Sequence, residues 1–205
     1  MNYQTKTKTA QGLRDILNGL AAPVVLLEGT RNVPEKDQTK LTKLGAFLAA
    51  EFPNAVFRSG NADGSDTLFA RGVESVDPSR MQVVTPTAGH RKKNIHPQSY
   101  TVPLSEVSAV HEESLAYHTN AATPANQRII DKRNEVPQLK AKARYLLRDT
   151  LKVLGDEDND LAPATAALFY TKADPMSGGT GHTIRVCQQQ GVPFFLQVDW
   201  ASWIS

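Results

Sequence analysis

The chain repeats one pattern, in which a short apolar segment is followed by a glycine-containing loop and then by an amphipathic helix. Residues 23–28 are rich in Val and Leu, and residues 35–52 place Leu and Phe at three- and four-residue spacing. A second strand is predicted over residues 55–58, a helix over 66–74 and a third strand over 81–84. Because parallel strands need crossover connections, this alternation predicts an α/β fold, with a mostly parallel sheet covered by helices on both faces.

The pattern is interrupted after residue 85. Residues 86–104 contain three prolines, a glycine and the basic run His90-Arg91-Lys92-Lys93, and they predict a long loop. Further along the chain, the periodicity predicts helices over residues 105–117, 135–154 and 178–190 and strands over 164–170 and 192–198. We interpret residues 1–205 as one domain with a helical and loop insertion at about 86–125.

Composition limits the classes of protein that fit. The net charge is +2, from 23 Lys and Arg against 21 Asp and Glu, and it does not favour a dedicated duplex-DNA binder. No apolar run approaches the roughly 20 residues of a membrane helix, so no membrane partner is expected. The first six residues lack the apolar core of a secretion signal, and the single cysteine, Cys187, excludes an internal disulfide. These features indicate a cytoplasmic protein.

Three loops near the ends of predicted strands combine glycine with small polar or basic residues. They are Gly29-Thr30-Arg31, the segment 59–66 (Ser-Gly-Asn-Ala-Asp-Gly-Ser-Asp) and Gly178-Gly179-Thr180. Parallel strands all point the same way, so the loops after their carboxyl ends gather at one edge of the sheet, where open α/β sheets bind ligands. Residues far apart in the sequence are therefore predicted to line one pocket.

The loop at residues 178–180 has the clearest chemistry. Its two glycines let backbone N–H groups approach a phosphate without interference from a Cβ atom. A helix that begins near Thr180 adds about half a positive charge at its N-terminus. This combination favours a phosphate site, and the alternative is that the glycines only permit a tight turn between strand and helix.

The other two loops offer side chains as well as backbone groups. Arg31 at a strand end can contact a phosphate through two guanidinium nitrogens, although a lone arginine there is also typical of a surface. In the segment 59–66, Gly60 and Gly64 permit unusual backbone angles and Ser59 offers a hydroxyl. Asp66 either accepts a hydrogen bond from a ribose hydroxyl or caps the following helix.

These motifs resemble those of the SLOG superfamily, which joins the DNA-processing protein DprA (Smf) with the LONELY GUY phosphoribohydrolases. The pair Arg133-Asn134 also resembles an Arg-Asn pair of the YspA-like branch. The resemblance covers most of residues 20–198, except about 86–125. It implies a Rossmann-like three-layer sandwich that binds a nucleotide or nucleotide-derived ligand at the carboxyl edge of the sheet.

The sequence departs from this family at the residues that carry chemistry. LONELY GUY enzymes contain Pro-Gly-Gly-x-Gly-Thr-x-x-Glu, in which the Glu helps to cleave an N-glycosidic bond. Here the Thr position holds His182 and the Glu position holds Arg185. A cation in place of a carboxylate reverses the electrostatic effect on an oxocarbenium-like centre, so hydrolysis by the same residues is not expected. His182 is interpreted either as an exposed residue at the helix start or as a ligand contact or general acid.

The sequence therefore favours a sensor or binding module for a nucleotide-derived phosphate ligand that resembles AMP or ADP-ribose, with no cofactor and no metal site. The catalytic residues, if any, are unknown. The predicted ligand-binding residues are Gly29, Thr30, Arg31, Ser59, Gly60, Gly64, Asp66, Arg133, Asn134, Gly178, Gly179, Thr180 and His182.

Two other functions remain open from the sequence. The first is a nucleoside 5'-monophosphate N-glycosidase that uses a relocated acid, with Glu28, Asp63, Asp66 and Glu135 as candidates. The second is DprA-like binding of single-stranded DNA through residues 128–152, which hold eight Lys or Arg against three acids. A homo-oligomer also remains open.

Overall fold

The computed structural model describes residues 8–204 as an α/β fold. Six parallel strands form one sheet in the order β4-β3-β2-β1-β5-β6, and helices cover both faces. This confirms the Rossmann-like three-layer sandwich predicted from the sequence. The first six residues, from which the absence of a secretion signal was argued, lie outside the described part of the chain.

The elements follow the predicted alternation. The strands are β1 (Val24–Gly29), β2 (Val56–Ser59), β3 (Met81–Thr85), β4 (Tyr100–Pro103), β5 (Ala166–Tyr170) and β6 (Phe194–Leu196). The helices are α1 (Ala10–Leu17), α2 (Glu35–Glu51), α3 (Ser65–Glu74), α4 (Ala109–Ala122), α5 (Gln127–Asp131), α6 (Pro137–Leu154), α7 (Gly178–Gln190) and α8 (Gln197–Trp200). Among residues 8–204, no helix is both long enough and apolar enough to cross a lipid bilayer.

Strand β1 lies at the centre of the sheet and divides its two faces. Val25 and Leu27 are fully buried among side chains of α1, α2 and α3 on one face. Leu26, between them, packs against residues of β5 and α7 in a different cluster on the other face. Successive strand residues point to opposite faces, so a continuous apolar strand is what a sheet covered on both sides requires.

The direction of strand addition changes at β1. From β1 the chain adds β2, β3 and β4 on one side, and it then returns to place β5 on the other side of β1. The pair Gly29 and Tyr170 marks the carboxyl end of the β1–β5 ladder. A reversal of strand order of this kind opens a crevice at the carboxyl ends of the two strands.

The prediction of a loop throughout residues 86–104 is wrong at its C-terminal end. Residues Tyr100–Pro103 form β4, which pairs in parallel with β3 and has Pro103 opposite Thr85. β4 is an edge strand, where a proline is tolerated because one side of the strand makes no ladder hydrogen bonds. The segment treated as an insertion therefore contributes one strand to the sheet and the whole of α4.

Candidate functional site

A cavity of about 600 Å³ lies at the carboxyl ends of β1 and β5, where the strand order reverses. Its walls come from the loop after β1, from one side of α6, and from the segment that leads from β5 into α7. Among the predicted site residues, seven line this cavity: Gly29, Thr30, Arg31, Asp66, Gly178, Gly179 and Thr180. The structure thus brings residues from all three predicted loops to one place.

The predicted glycines outside this lining have structural roles. Gly64 has φ +77°, and a side chain there would collide with the backbone oxygen of Arg31. A side chain at Gly60 would collide with the guanidinium of Arg148, whose Nη1 donates to the Gly60 carbonyl oxygen at 2.5 Å. These glycines therefore let the motif loop pack closely against its neighbours, one of which is a residue of the cavity wall.

Asp66 joins the first two loops. Its Oδ1 accepts the N–H of Gly29 at 3.2 Å, and its Oδ2 accepts the N–H groups of Gly60 at 3.2 Å and Ala62 at 3.3 Å. Asp66 lies in the first turn of α3, and Gly64, not Asp66, is the N-cap residue. The carboxylate is almost fully buried, so its main role is to hold the β1 and β2 loops together.

Ser59 lies away from the cavity. It is buried, and its hydroxyl oxygen accepts the N–H of Asn61 at 3.3 Å. It lines a separate groove, together with residues of α3 and of the segment around Lys93 to Pro97. Ser59 can therefore contact a ligand only in that groove and not beside the glycines of α7.

The first turn of α7 faces the cavity with unused donors. The first N–H groups of an α-helix have no acceptor within the helix, and here these belong to Gly178, Gly179 and Thr180. Ser177 occupies the N-cap position without accepting a hydrogen bond from the helix; its hydroxyl instead donates to the carbonyl oxygen of Asp174 at 2.9 Å. This turn therefore presents backbone donors and a positive dipole end to any anion in the cavity.

Buried charges form the floor of the cavity. Glu28, at the end of β1, is 5 % exposed; its Oε2 accepts from Lys152 Nζ at 2.6 Å and its Oε1 from the Thr183 hydroxyl at 3.1 Å. Burial raises the pKa of Glu28 to about 7, although the Lys152 ammonium acts in the opposite direction. A carboxyl group that titrates near neutral pH therefore lines the site.

Arg148 and Asp149, adjacent residues of α6, complete this floor. Lys152 Nζ lies 2.9 Å, and Arg148 Nε 3.1 Å, from Asp149 Oδ1. Neither contact has the geometry of a hydrogen bond, so Arg148 Nε has no acceptor and Asp149 Oδ1 no donor among the described residues. Burial opposes ionisation of Asp149, but Arg148 and Lys152 hold its pKa below the usual value.

The entrance of the cavity is basic. Arg31, Lys142 and Lys172 line it with exposed side chains. The guanidinium groups of Arg31 and Arg148 lie 5.7 and 5.6 Å from the centre of the Tyr145 ring, in cation–π contact. The cavity is therefore basic and aromatic towards solvent, whereas buried carboxylates lie at its base.

Part of the segment 86–99 packs beside this entrance. The ring of His90 meets that of Tyr145 edge-on, with 5.9 Å between their centres. Asn61 donates to the backbone oxygens of His90 and Arg91, and Arg91 forms an ion pair with Asp63. The insertion is therefore attached to the second motif loop, a contact that the sequence did not suggest.

The structure places His182 outside the cavity, and its burial contradicts the interpretation as an exposed residue at the helix start. The residue is 0 % exposed; its Nδ1 bonds the hydroxyl of Thr123 at 2.8 Å and its Nε2 that of Thr150 at 3.1 Å. It follows the first turn of α7 but points back into the layer of α4 and α6. Burial lowers the pKa of His182, which favours the neutral imidazole.

Arg133 and Asn134 also lie away from the cavity. Arg133 is 9 % exposed and forms ion pairs with Glu112 and Glu113 of α4. The two residues line a smaller cavity of about 190 Å³ beside α6. Arg133 therefore fastens the segment before α6 to α4, and neither residue of the Arg-Asn pair lines the cavity at α7.

Three of the eight cations in the basic segment 128–152 are buried. Arg148 and Lys152 are buried in the floor of the cavity, and Arg133 is buried against two glutamates. Arg185, outside this segment, donates to the backbone oxygen of Met176 at 2.9 Å. Single-stranded DNA binding through residues 128–152 would therefore depend on the five other cations of the segment, and it remains a prediction.

The buried residues of α6 at the floor of the cavity were not predicted from the sequence. Arg148 and Lys152 were counted as surface cations, although they adjoin Leu147 and Leu151 in the apolar stripe of the predicted helix. Charged residues within an apolar stripe are a signal of buried pairing. Within residues 8–204, no group of three or more His, Cys, Asp or Glu side chains is arranged to hold a metal ion.

Comparisons with known proteins identify no family. No family model and no curated protein matches the chain. Among solved structures, the chain is similar to DNA processing protein A from Helicobacter pylori, described as having a unique single-stranded DNA binding mode. The TM-score is 0.44 at 15 % identity, over 89 % of this chain and 67 % of that one. The likeness is a loose one.

Proposed function

We propose that the cavity at the β1–β5 switch point binds a nucleotide or nucleotide-derived phosphate ligand, such as AMP or ADP-ribose, and that the protein acts as a sensor or binding module. The observation that carries the proposal is the convergence of residues 29–31, Asp66 and residues 178–180 around the uncapped first turn of α7. A cavity of about 600 Å³ is also within the usual size of small-molecule sites.

The phosphate belongs at the first turn of α7. The N–H groups of residues 178–180 and the guanidinium of Arg31 supply three or four charge-assisted hydrogen bonds, each worth about 1.5–3 kcal/mol. The entropy lost on association offsets a large part of this gain. A dissociation constant in the micromolar to millimolar range follows, which suits a sensor of an abundant metabolite.

Isothermal titration calorimetry of the purified protein with AMP, ADP, ADP-ribose and inorganic phosphate tests the proposal. We expect saturable binding of at least one nucleotide, and about tenfold weaker binding by Arg31→Gln, which removes one charged contact. Arg128→Gln is the matched control, because Arg128 is also exposed but lies on α5 outside the cavity. Absence of heat with all four ligands at millimolar concentration would refute the proposal.

A second candidate is the N-glycosidase, and Glu28 is the observation that favours it. Of the four relocated acids, Glu135 is exposed and paired with Lys132, Asp63 is exposed and paired with Arg91, and Asp66 binds three backbone N–H groups. Glu28 lines the cavity and has a pKa raised to about 7. A carboxyl group with such a pKa can donate a proton to a leaving base at neutral pH.

The enzymatic candidate is tested by release of ribose 5-phosphate from AMP. Turnover that depends on Glu28 falls by at least a hundredfold in Glu28→Gln, because the amide cannot transfer the proton. Glu135→Gln, on the surface before α6, is the control and keeps full activity. No product after prolonged incubation of the wild-type protein would leave the binding module as the function.

A further inference from the structure

The first turn of α7 places hydrogen-bond donors beside an acceptor. Gly178, Gly179 and Thr180 offer backbone N–H groups to the cavity. Asp149 Oδ2 lies next to the same turn, 3.3 Å from the point that an alanine Cβ would occupy at residue 179. A bare phosphate satisfies the donors but is repelled by this carboxylate, so a phosphate alone is not the best match to the site.

The Asp149 carboxylate is built into the floor and is incompletely satisfied. The residue is 3 % exposed and lines the cavity; its Oδ1 forms ion pairs with Lys152 Nζ and Arg148 Nε but receives no hydrogen bond from residues 8–204. Its neighbour Arg148, 5 % exposed, has an Nε atom that also makes no hydrogen bond to these residues. A carboxylate can accept about four hydrogen bonds, so Asp149 keeps capacity for further donors, and its Oδ2, beside the first turn of α7, is the oxygen that a ligand in the cavity meets.

The layering of charge indicates what kind of ligand fits. Exposed cations surround the entrance, the helix donors lie at one wall, and the carboxylate of Asp149 lies below them. Asp66 cannot take this acceptor role easily, because both of its oxygens already bind backbone N–H groups. The matching ligand has an anionic group and, a few ångströms away, hydroxyl donors.

We infer that the site selects a phosphorylated sugar with free vicinal hydroxyl groups, that Asp149 accepts a hydrogen bond from those hydroxyls, and that deoxygenated sugars are discriminated against. The inference rests on the proposed phosphate site and adds a residue and a substrate class to it. Ribonucleotides with a free ribose diol belong to this class, whereas nucleotides that lack both ribose hydroxyls do not.

The experiment compares AMP, 2',3'-dideoxyadenosine 5'-monophosphate and inorganic phosphate by calorimetry. We expect the wild-type protein to bind AMP at least tenfold more tightly than the dideoxy nucleotide, because a hydrogen bond to a charged acceptor is lost. In Asp149→Asn this ratio falls at least fivefold, since a neutral amide oxygen is a weaker acceptor. Thermal unfolding of the variant by circular dichroism shows whether it is folded.

A second variant avoids the buried charges. In Gly179→Ala the new methyl group lies 3.3 Å from Asp149 Oδ2 and hinders a sugar hydroxyl from approaching it, so the AMP-to-dideoxy ratio falls there too. Residue 179 is exposed, and its φ lies outside the left-handed region, so alanine fits the helix. This variant, together with the wild-type comparison, decides the inference even if Asp149→Asn does not fold.

The outcomes separate the inference from the proposed function. If no nucleotide and no phosphate bind to the wild-type protein at millimolar concentration, both fail. If AMP and the dideoxy nucleotide bind equally well, the phosphate site stands and the inference is overturned. Retention of the full preference for AMP in a folded Asp149→Asn protein overturns the assignment to Asp149.

Discussion

Two buried polar networks connect α6 to α7, and they differ in charge and in completeness. The first consists of Glu28, Arg148 and Asp149, which line the floor of the cavity, and of Lys152, which is fully buried behind them. We call it the floor cluster. The second, the threonine–histidine network, runs from Thr119 through Thr150 and His182 to Thr123. Consecutive residues of α7 join the two, because Thr183 donates to Glu28 while His182 lies in the other network.

The difference separates a structural network from a binding one. Every side chain of the threonine–histidine network has a hydrogen-bond partner, and the Thr123 hydroxyl also accepts from Arg185 Nε at 2.9 Å. A satisfied network without a buried carboxylate needs nothing further to be stable. In the floor cluster, the two cations Arg148 and Lys152 face three buried carboxylates when Asp66 is counted. Asp149 Oδ1 and Arg148 Nε make no hydrogen bond to the described residues. Such a cluster costs folding free energy that ligand binding can recover.

The largest effect is expected from breaking the floor cluster at its shared cation. Lys152→Met leaves Glu28 and Asp149 buried without their common partner, and we expect a loss of about 3–5 kcal/mol in the free energy of unfolding. Urea denaturation followed by circular dichroism measures it. Lys142→Met, almost three turns earlier on α6 but exposed, should change stability by less than about 0.5 kcal/mol. Equal stability of the two variants would show that the cluster is not held by this charge.

A smaller, pH-dependent effect is expected from Glu28. Its pKa is about 7 in the folded protein and near 4.5 when unfolded, so the folded state binds the proton more tightly between these values. Unfolding then releases a proton, and stability falls as the pH rises from about 5 to 7. Glu28→Gln lacks this dependence, so its free energy of unfolding relative to wild type should rise over that interval, by at most about 3 kcal/mol.

The measurement is a set of urea denaturation curves for both proteins between pH 5 and pH 8. Asp149 contributes little to the slope there, because its pKa is lowered and it stays ionised throughout the interval. His182 and His90 are present in both proteins and cancel in the difference. Parallel stability curves for wild type and Glu28→Gln would show that Glu28 titrates at its ordinary value.

The fold could be predicted largely from periodicity. β1, β2, β3, β5 and β6 and the helices α2, α3, α6 and α7 lie where the apolar spacing placed them, with small shifts at their ends. β4 could not be predicted in this way because it has only four residues and the last is Pro103. A proline is compatible with a strand only at the edge of a sheet, and the edge position of β4 is known only from its pairing with β3. The short helices α1 and α5 were not predicted.

Of the candidate site, only the glycine loops could be predicted from the sequence. Glycines leave a signature in the sequence, so the loops at residues 29–31 and 178–180 could be placed at one edge of the sheet. The floor cluster leaves none, since Lys152 meets a carboxylate 124 positions away, and neither residue reveals the other locally. For the same reason His182, which follows the glycines directly, was assigned to the ligand although it faces the opposite way.

The smallest stability effect, and the sharpest test of the comparison, comes from the threonine–histidine network. His182→Ala leaves the hydroxyls of Thr123 and Thr150 without their ring partner, and we expect a loss of about 2 kcal/mol in the free energy of unfolding. AMP affinity should change by less than about threefold, since His182 does not line the cavity. Calorimetry at a temperature where the variant is folded measures this. A large loss of affinity with little loss of stability would mean that the two networks are not separate, and that the position of α7 at the cavity depends on both.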